Sequence, residues 1–468
     1  MNEHIPADSV STDAQWKSYD PLYDPLTAPN PGEGQDYAPA YWAATAGPEP
    51  EHDGPVTGDM DVDVAIIGSG FTGMSCALFL AREYGIKATV LEANRVAWGC
   101  TSRNGGQAQA ASGRLTRTQW ARRWGLTTAR QLHTEILEGF DTFKSLIAEI
   151  DCDAQPGGHL YVAHKPAALE KLKAETTVLR ELFNYPARII TREELFKDWL
   201  IDNEAAGAMH EPEGIGVHPL KLVYGYMRAA RALGVKVHPA SPVTGWREAG
   251  GSHYLQTPGG TVKARAIAFA TGGYTSRELH PALRNRTMPI LSNSVVTRPL
   301  TEDEITACNF RTHQVVTDTR TLRFYYRLLP DNRLQIGSRA AITGADAANP
   351  EHQKVLTDAI ARKFNPLAGI ELDYSWWGWV DVSHDMMPRI CQPDPKSTAY
   401  YALGYGGNGV MYSAQAGRRL AQLVAGKKDT AFDLPIFTSA LPGHPLAPFR
   451  RLGQAMLYRW YHYQDERP

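Results

Sequence analysis

Residues Val62 to Ile67 read Val-Asp-Val-Ala-Ile-Ile, a largely apolar, β-branched run that stops at Gly68. Such a run ended by glycine predicts a buried strand, and the apolar spacing from Met74 to Arg82 predicts a helix packed against it. A second apolar run, Ala88 to Leu91, predicts a strand ending at Glu92. Farther on, Gln119 to Ile150 and Pro166 to Leu182 carry helical spacing, with a strand expected over Gly158 to Ala163 between them. We expect this insertion to form a separate layer. Asp198 to His218 reads as loop; Pro219 opens a helix closed by Gly234, and Val235 to Val237 is a short strand. Thr261 to Ala270 predicts another apolar strand, ending in Thr271-Gly272-Gly273-Tyr274. Met288 to Leu372 alternates short apolar runs with turns, including a hairpin signal at Pro330-Asp331-Asn332, and predicts a mainly antiparallel sheet in a second domain. Ala399 to Leu403 leads through Gly404 to Val410 into a helix ending near Ala425. Residues 1–58 show no sustained period and read as an irregular arm, docked by Tyr37, Tyr41 and Trp42.

Length and charge narrow the class without naming it. A chain of 468 residues has room for two or three domains at roughly 150 residues each. Hydrophobic content of 43% and charged content of 21% are those of a soluble globular protein. A net charge of −2 gives no electrostatic reason to expect nucleic acid. No run approaches the ~18 apolar residues of a membrane span, and no signal pattern opens the chain. Five scattered cysteines point to a reducing cytoplasm, with neither a disulfide framework nor a metal site.

The candidate chemistry begins at the first glycine turn. Gly68 lets the chain turn off the strand, Gly70 lets a pyrophosphate approach the backbone, and Gly73 lets the helix sit close to the sheet. The free N–H groups there, with Phe71 and Thr72 in the first helical turn, face the phosphates. Glu92 lies 24 residues after Gly68, near the ~20-residue offset of an acid that accepts from an adenosine ribose, with Ala93 beside it. An acid here disfavours a ribose 2′-phosphate. The polar run Ser102-Arg103-Asn104-Gly105-Gly106-Gln107 should fold back beside the nucleotide: Ser102 bonding a phosphate, Arg103 near the pyrophosphate or a ring edge, and the two glycines lying against a ring. Val243, Thr271 and Gly272 are further candidate contacts at strand ends.

Gly404, Gly406 and Gly409 repeat the dinucleotide spacing, yet no second apolar strand and acid follow; Lys427-Lys428-Asp429 stands there instead. A second nicotinamide site is therefore rejected. The turn, with Gly407, Asn408 and Val410, reads as a backbone cradle that would stabilise the anionic N1–C2=O locus of a reduced flavin. Trp376, Trp377 and Trp379 suit either a core or the wall of an apolar substrate cavity.

On Gly68 to Glu92, Ser102 to Gln107, Trp377 to Pro388 and Gly404 to Val410, the chain resembles the D-amino-acid-oxidase-like FAD-dependent oxidoreductases, and most closely their gamma-glutamylputrescine oxidase group. The likeness extends to Tyr41 to Ala46 and to Tyr458 to Asp465. It departs from that group at Gly337-Ser338-Arg339 and at His384.

The resemblance implies an α/β fold with an α+β second domain. A Rossmann-type FAD domain would be assembled from residues 59–118, 205–285 and 380–426, and a substrate domain from 119–204 and 286–379, with 427–468 a C-terminal segment. It also implies oxidation of a CH–NH bond by hydride transfer to flavin N5, hydrolysis of the imine to an aldehyde or ketone, and reoxidation by O2 to hydrogen peroxide. The substrate would be a small or gamma-glutamylated amine. A neutral amine needs no separate base, consistent with the absence of an obvious triad.

Candidate substrate residues are Tyr325, Tyr326, Arg327, Trp377, His384 and Asn408. Arg327 is either a bidentate carboxylate clamp or a structural partner, and His384 either a proton carrier or a hydrogen-bonded core residue. Cys100 and Cys391 raise covalent flavin linkage, although non-covalent FAD is the preferred expectation. Three alternatives stand beside the oxidase: a D-amino-acid or sarcosine-like dehydrogenase using an electron carrier, a flavin-binding protein without turnover, and an NAD-dependent dehydrogenase.

Overall fold

The protein is described here by a computed structural model that covers residues 16–467. Of the expected arm, residues 1–15 lie outside the described residues. The part that follows, from Trp16, is irregular apart from the short helix Tyr41–Thr45 and lies on the body, with Lys17 bridged to Gln35 and Tyr23 buried against Trp98 and Tyr274.

Met60–Ile67 is the centre of an eight-stranded sheet. It runs parallel to Thr89–Leu91 on one side and to Gly260–Phe269 on the other, and Lys236–His238 extends the parallel set beyond Thr89–Leu91. Gly260–Phe269 changes partner along its length. Its first half pairs antiparallel with Ser252–Thr257, its last three residues parallel with Ala399–Leu403. The register sets Ile67 level with Leu91 and Phe269. Gly68, Glu92 and Ala270 therefore leave the sheet at one edge, where an open parallel sheet binds ligands.

The helix Phe71–Tyr84 follows at once, and all its residues from Phe71 to Leu80 are buried. A helix apolar on every side needs cover on every side. The helix Tyr412–Val424 supplies part of that cover at close range: the Ser75 hydroxyl donates to the Ala414 carbonyl at 2.7 Å, and a Cβ on Gly417 would sit 2.7 Å from Ser75 Cβ. Gly85, at φ +67°, ends the first helix in the left-handed region.

A second eight-stranded sheet takes the order Leu372–Ser383, Thr287–Pro299, Arg333–Ser338, Tyr325–Leu328, Val315–Asp318, His159–Ala163, Gly207–Glu211, Arg188–Thr191. It is antiparallel except between Val315–Asp318 and His159–Ala163. The expected hairpin is present, with Asn332 at φ +62° in its turn. Lys363, fully buried, anchors this half through Asp202 (3.2 Å), Glu204 (3.2 Å) and Asp318 (3.3 Å). The C-terminal helix Arg450–Glu466 lies across it, with Asp465 accepting from the N–H groups of Thr321 and Leu322 at 3.0 and 3.1 Å. Among the described residues no helix is long and apolar enough to cross a membrane.

Three sequence expectations change. Asp198 to His218 is not all loop: Gly207–Glu211 and Gly214–Gly216 are strands. Their Gly, Ala, His and Glu residues carry little strand signal, and the pairing comes from partners distant in the chain. Gly207–Glu211 joins the second sheet, inside the stretch expected to belong to the FAD domain, and Leu372–Ser383 runs straight through the boundary expected at 380. Finally, the long helix Arg117–Ala148, broken by a kink at Gly125 (φ +80°), is no part of a separate layer. It packs on Tyr412–Val424, with Glu135 paired to Arg419 at 2.6 Å and Thr142 donating to Gln415 at 2.9 Å.

Candidate active site

A continuous cavity begins at the edge where the parallel strands end and runs to the second sheet, enclosing about 1850 Å³ of space between atoms out to solvent. At the first end it is lined by Gly68, Gly70, Phe71, Thr72, Glu92, Ala93 and Val243. Gly70 caps the helix N-terminus with no side-chain hydrogen bond of its own, which leaves the first-turn N–H groups other than that of Phe71 at the cavity. Gly73 lies behind them; a Cβ there would sit 1.9 Å from the Gly68 carbonyl oxygen, so its part is close packing rather than contact. Glu92 is held by the Ser69 N–H (3.0 Å) and hydroxyl (2.7 Å) on one oxygen and by the Asn94 N–H (3.2 Å) on the other. Burial pushes its carboxyl above the usual range.

The polar run after Glu92 divides in a way its composition does not reveal. Ser102 does not reach the cavity. Its hydroxyl folds back onto the carbonyls of Trp98 (2.8 Å) and Gly99 (3.2 Å), closing the tight turn Cys100–Ser102. Thr101 faces the cavity instead and accepts from the Phe71 N–H at 3.1 Å. Arg103 lines the cavity, donates to the Tyr274 hydroxyl at 3.0 Å and lies 4.1 Å from the Trp98 ring. Its buried Nε and Nη2 have no hydrogen-bond partner among the described residues. Asn104, Gly105 and Gln107 line the cavity, whereas Gly106, at φ +63°, turns toward the Val217 carbonyl and is outside the lining.

The second glycine turn converges on the same space. Thr72 Oγ1 and the Tyr405 hydroxyl are 2.8 Å apart, tying the two turns together across 333 residues of chain. Gly407, Asn408, Gly409 and Val410 line the cavity with Thr271 and Gly272. Gly404 and Gly406 do not. Gly404 donates its N–H to Asp381 Oδ2 at 2.5 Å, Gly406 donates to the Asp381 carbonyl at 2.8 Å, and both shape the turn from behind. Asp381 itself lines the cavity, and burial pushes its carboxyl up to about 6.

Of the expected substrate residues, Tyr325 lines the cavity beneath Gly105, its hydroxyl bonded to Ser292 (3.0 Å) and Ser294 (2.8 Å). Asn408 lines it too, and the other four lie elsewhere. Arg327 shares the face of Tyr325 one pleat farther along, where the Gly105-Gly106 turn covers it. Its guanidinium donates to Gly105 O, Gln155 Oε1 (2.8 Å) and Val217 O (2.6 Å), so no fork is left for a carboxylate. Burial lowers it to about 10. Tyr326 points to the opposite face and donates to Asp202 in the core. Trp377 is likewise turned away by strand alternation, leaving Gly378 and Val380 to face the cavity, while Trp376 and Trp379 are core residues at 1% exposure. His384 stacks on His444 at 5.1 Å and meets the Asn285 carbonyl at 3.3 Å, outside the lining.

Residues not singled out from sequence complete the site: Thr101, Tyr274, Arg323, Arg339, Asp381 and Tyr405. Tyr274 follows Thr271-Gly272-Gly273 directly, and Arg323 and Arg339 stand at alternating positions with Tyr325 and Gly337, so a strict period-two reading of the hairpin would have found two of the six. The residues fit a bound dinucleotide with a ring system. The helix end is uncapped, Gly407 at φ +92° has only Arg339 and Val380 near the place of a Cβ, and Arg103 holds buried donors in reserve. Cys100 lines the cavity and Cys391 does not.

Comparison with known proteins agrees with this geometry. The family described as FAD dependent oxidoreductase, DAO, matches residues 63–423. Gamma-glutamylputrescine oxidoreductase of Escherichia coli (strain K12) is 30% identical over 429 residues, 90% of this chain and 97% of that protein. A probable oxidoreductase OrdL of Rhizobium meliloti (strain 1021) is 29% identical over 87% of this chain and 93% of its own length. Among solved structures, glycine oxidase from Geobacillus kaustophilus superposes with a TM-score of 0.69 at 22% identity, covering 82% of this chain and 99% of that one. At that identity the likeness speaks to the fold. Two glycine turns meeting on one cavity, and a family match spanning most of the chain, lead to one conclusion: this chain belongs to the DAO family of FAD-dependent oxidoreductases.

Proposed function

We propose that this enzyme oxidises the CH–NH bond of a small or gamma-glutamylated amine, with O2 as the electron acceptor. The balanced reaction takes amine, water and O2 to an aldehyde or ketone, the released amine or ammonia, and hydrogen peroxide. The observation that carries the reading is the 30% identity with a gamma-glutamylputrescine oxidoreductase across 90% of this chain. When bound, FAD supplies the two-electron acceptor.

This chain's own residues bind and orient. The N–H groups of Gly70 and Thr72 would hold the pyrophosphate, Glu92 would accept from the ribose, and Val243 with Ala93 would border the adenosine. Thr271, Gly272, Arg103, Asn104, Gly105 and Gln107 hold the ring edge, with the backbone from Gly407 to Val410 as a cradle for negative charge at the ring. Tyr325, its hydroxyl kept neutral by burial, forms a floor for the substrate rather than a base. An amine that arrives neutral gives up its C–H without a protein base. The five cysteines are free, which accords with a cytoplasmic enzyme working on a small molecule.

Purified enzyme given gamma-glutamylputrescine and a panel of amines is expected to release peroxide, with anaerobic bleaching of its visible absorbance. No turnover and no bleaching with any amine would sink the assignment. Reduced enzyme mixed with O2 in stopped flow should reoxidise fast; slow reoxidation would assign the enzyme to the dehydrogenases.

A further inference from the structure

On the second-sheet side of the cavity three guanidinium groups gather. Arg323 and Arg339 line the cavity directly. Arg114 reaches in from the segment before the long helix and donates to the Gly406 carbonyl at 3.3 Å, on the turn whose next residue, Gly407, lies against Arg339. Two of the three feel the positive charge of the others: burial first, and then Arg339 and Arg323, pull Arg114 well below its usual range, while burial and Arg323 lower Arg339. Like charges brought together at the wall of a half-buried cavity favour a counter-charge.

Among the described residues the protein supplies none. Arg114, Arg323 and Arg339 form no ion pair within 4.0 Å, and the groups around them are phenols: Tyr161 (hydroxyl 3.3 Å from Arg323 Nη2), Tyr325 and Tyr458. The nearby carboxylates are engaged. Asp318 and Glu204 pair with Lys363 and Arg320, Asp465 accepts the N–H groups of Thr321 and Leu322, and Asp381 holds the Gly404 N–H. Arg323 Nε is buried with no hydrogen-bond partner.

We propose that Arg114, Arg323 and Arg339 form an anion site, and that the amine oxidised here carries acid groups, best two carboxylates, at the end held away from the reacting C–H. The proposal rests on the amine-oxidation reading and narrows its substrate class: an acidic amine, not a free polyamine, is the fitting ligand. A guanidinium fork meets a carboxylate with two parallel N–H···O bonds, and three forks in one place exceed the need of a single carboxylate. An ammonium group at this end with no carboxylate beside it would add an unanswered fourth positive charge to the cluster.

The test uses FAD-loaded full-length enzyme and ligands that are not oxidised, so it reads the anion site whether or not an amine turns over. Glutarate, its neutral isostere glutaramide, and putrescine are titrated while the flavin spectrum is followed. Glutarate should perturb the spectrum saturably and the other two should bind at least roughly tenfold more weakly. Arg339→Met and Arg323→Met should each weaken glutarate by about tenfold to a hundredfold at unchanged FAD content, and Arg323→Lys, which keeps the charge and loses the fork, should fall between. Equal binding of glutaramide or putrescine, or no binding of glutarate, overturns the proposal without any variant. So does an Arg339→Met enzyme with unchanged glutarate affinity and a shifted flavin potential, which would assign the cluster to the cofactor. Glutarate binding without turnover of any amine would leave the anion site standing and remove the amine-oxidase reading.

Discussion

The two ends of the cavity are built on opposite terms. At the nucleotide end most polar groups are settled within the chain, Arg103 Nε and Nη2 excepted: Glu92 is satisfied by Ser69 and Asn94, Phe71 N–H by Thr101, and the glycines set the backbone in place. Most of that end comes from one stretch, Gly68 to Gln107, and its partners are sequence neighbours. At the other end Arg323, Arg339, Tyr325 and Thr317 come from the second sheet, Arg114 from before the long helix, and Tyr458 from the C-terminal helix, and the charges are left unanswered. A dinucleotide presents the same phosphates and ribose in every enzyme that uses it, so its site can be built once and completed. A substrate site must keep its charges open for the ligand that completes them.

Changes at the nucleotide end should be the most damaging. Gly73→Val drives a side chain into the Gly68 carbonyl, whose oxygen lies 1.9 Å from the Cβ position, and should lower FAD affinity by more than roughly 100-fold, giving protein purified colourless. A yellow variant with wild-type FAD content would break the contrast drawn here.

Next in size is a comparison of two arginines. Arg327→Met leaves the Val217 carbonyl and Gln155 without their donor in the interior and should cost about 3 kcal/mol or more in denaturant unfolding, with substrate KM unchanged in the folded fraction. Arg339→Met should do the reverse, losing affinity and little stability. If both variants lose stability alike, the second end is structural.

Asp381 gives a pH-dependent contrast. Its folded carboxyl titrates near 6, above the 3.8 of an unfolded aspartate, because burial disfavours the charged form. The native state therefore holds the proton over that window, and stability present below the lower value is lost as pH rises toward 6, by up to about 3 kcal/mol. Asp381→Asn should flatten that part of the profile; an unchanged slope would assign it to other groups. Thr72→Val, which removes the link to Tyr405, should cost only about 1 kcal/mol by chemical denaturation. The smallest effect is expected at His384: replacement by Asn should change kcat by less than about twofold, since the ring is outside the cavity lining.

How much was legible followed the range of the interactions. The strand from Met60, the uncapped helix at Gly70 and the acid at Glu92 were readable because each is a local consequence of β-branched runs and glycine turns. The hairpin at Asn332 was readable for the same reason. Which side chains of that hairpin reach the cavity was not. Arg323, Tyr325 and Arg327 share one face, yet the Gly105-Gly106 turn shuts only the last away from the cavity. Ser102 and Thr101 are chemically similar neighbours, and a three-residue turn decides which one faces in.

The sequence by itself determined a dinucleotide cradle, a second glycine turn and an antiparallel companion sheet, since sterics and hydrophobic period act between residues close in the chain. Only the tertiary structure decided that the two turns meet at Thr72 and Tyr405, that Arg327 is spent on carbonyls, and that Arg114, Arg323 and Arg339 stand together without an acid. Burial and charge pairing belong to the sum of all neighbours in space, and no window along the chain contains that sum.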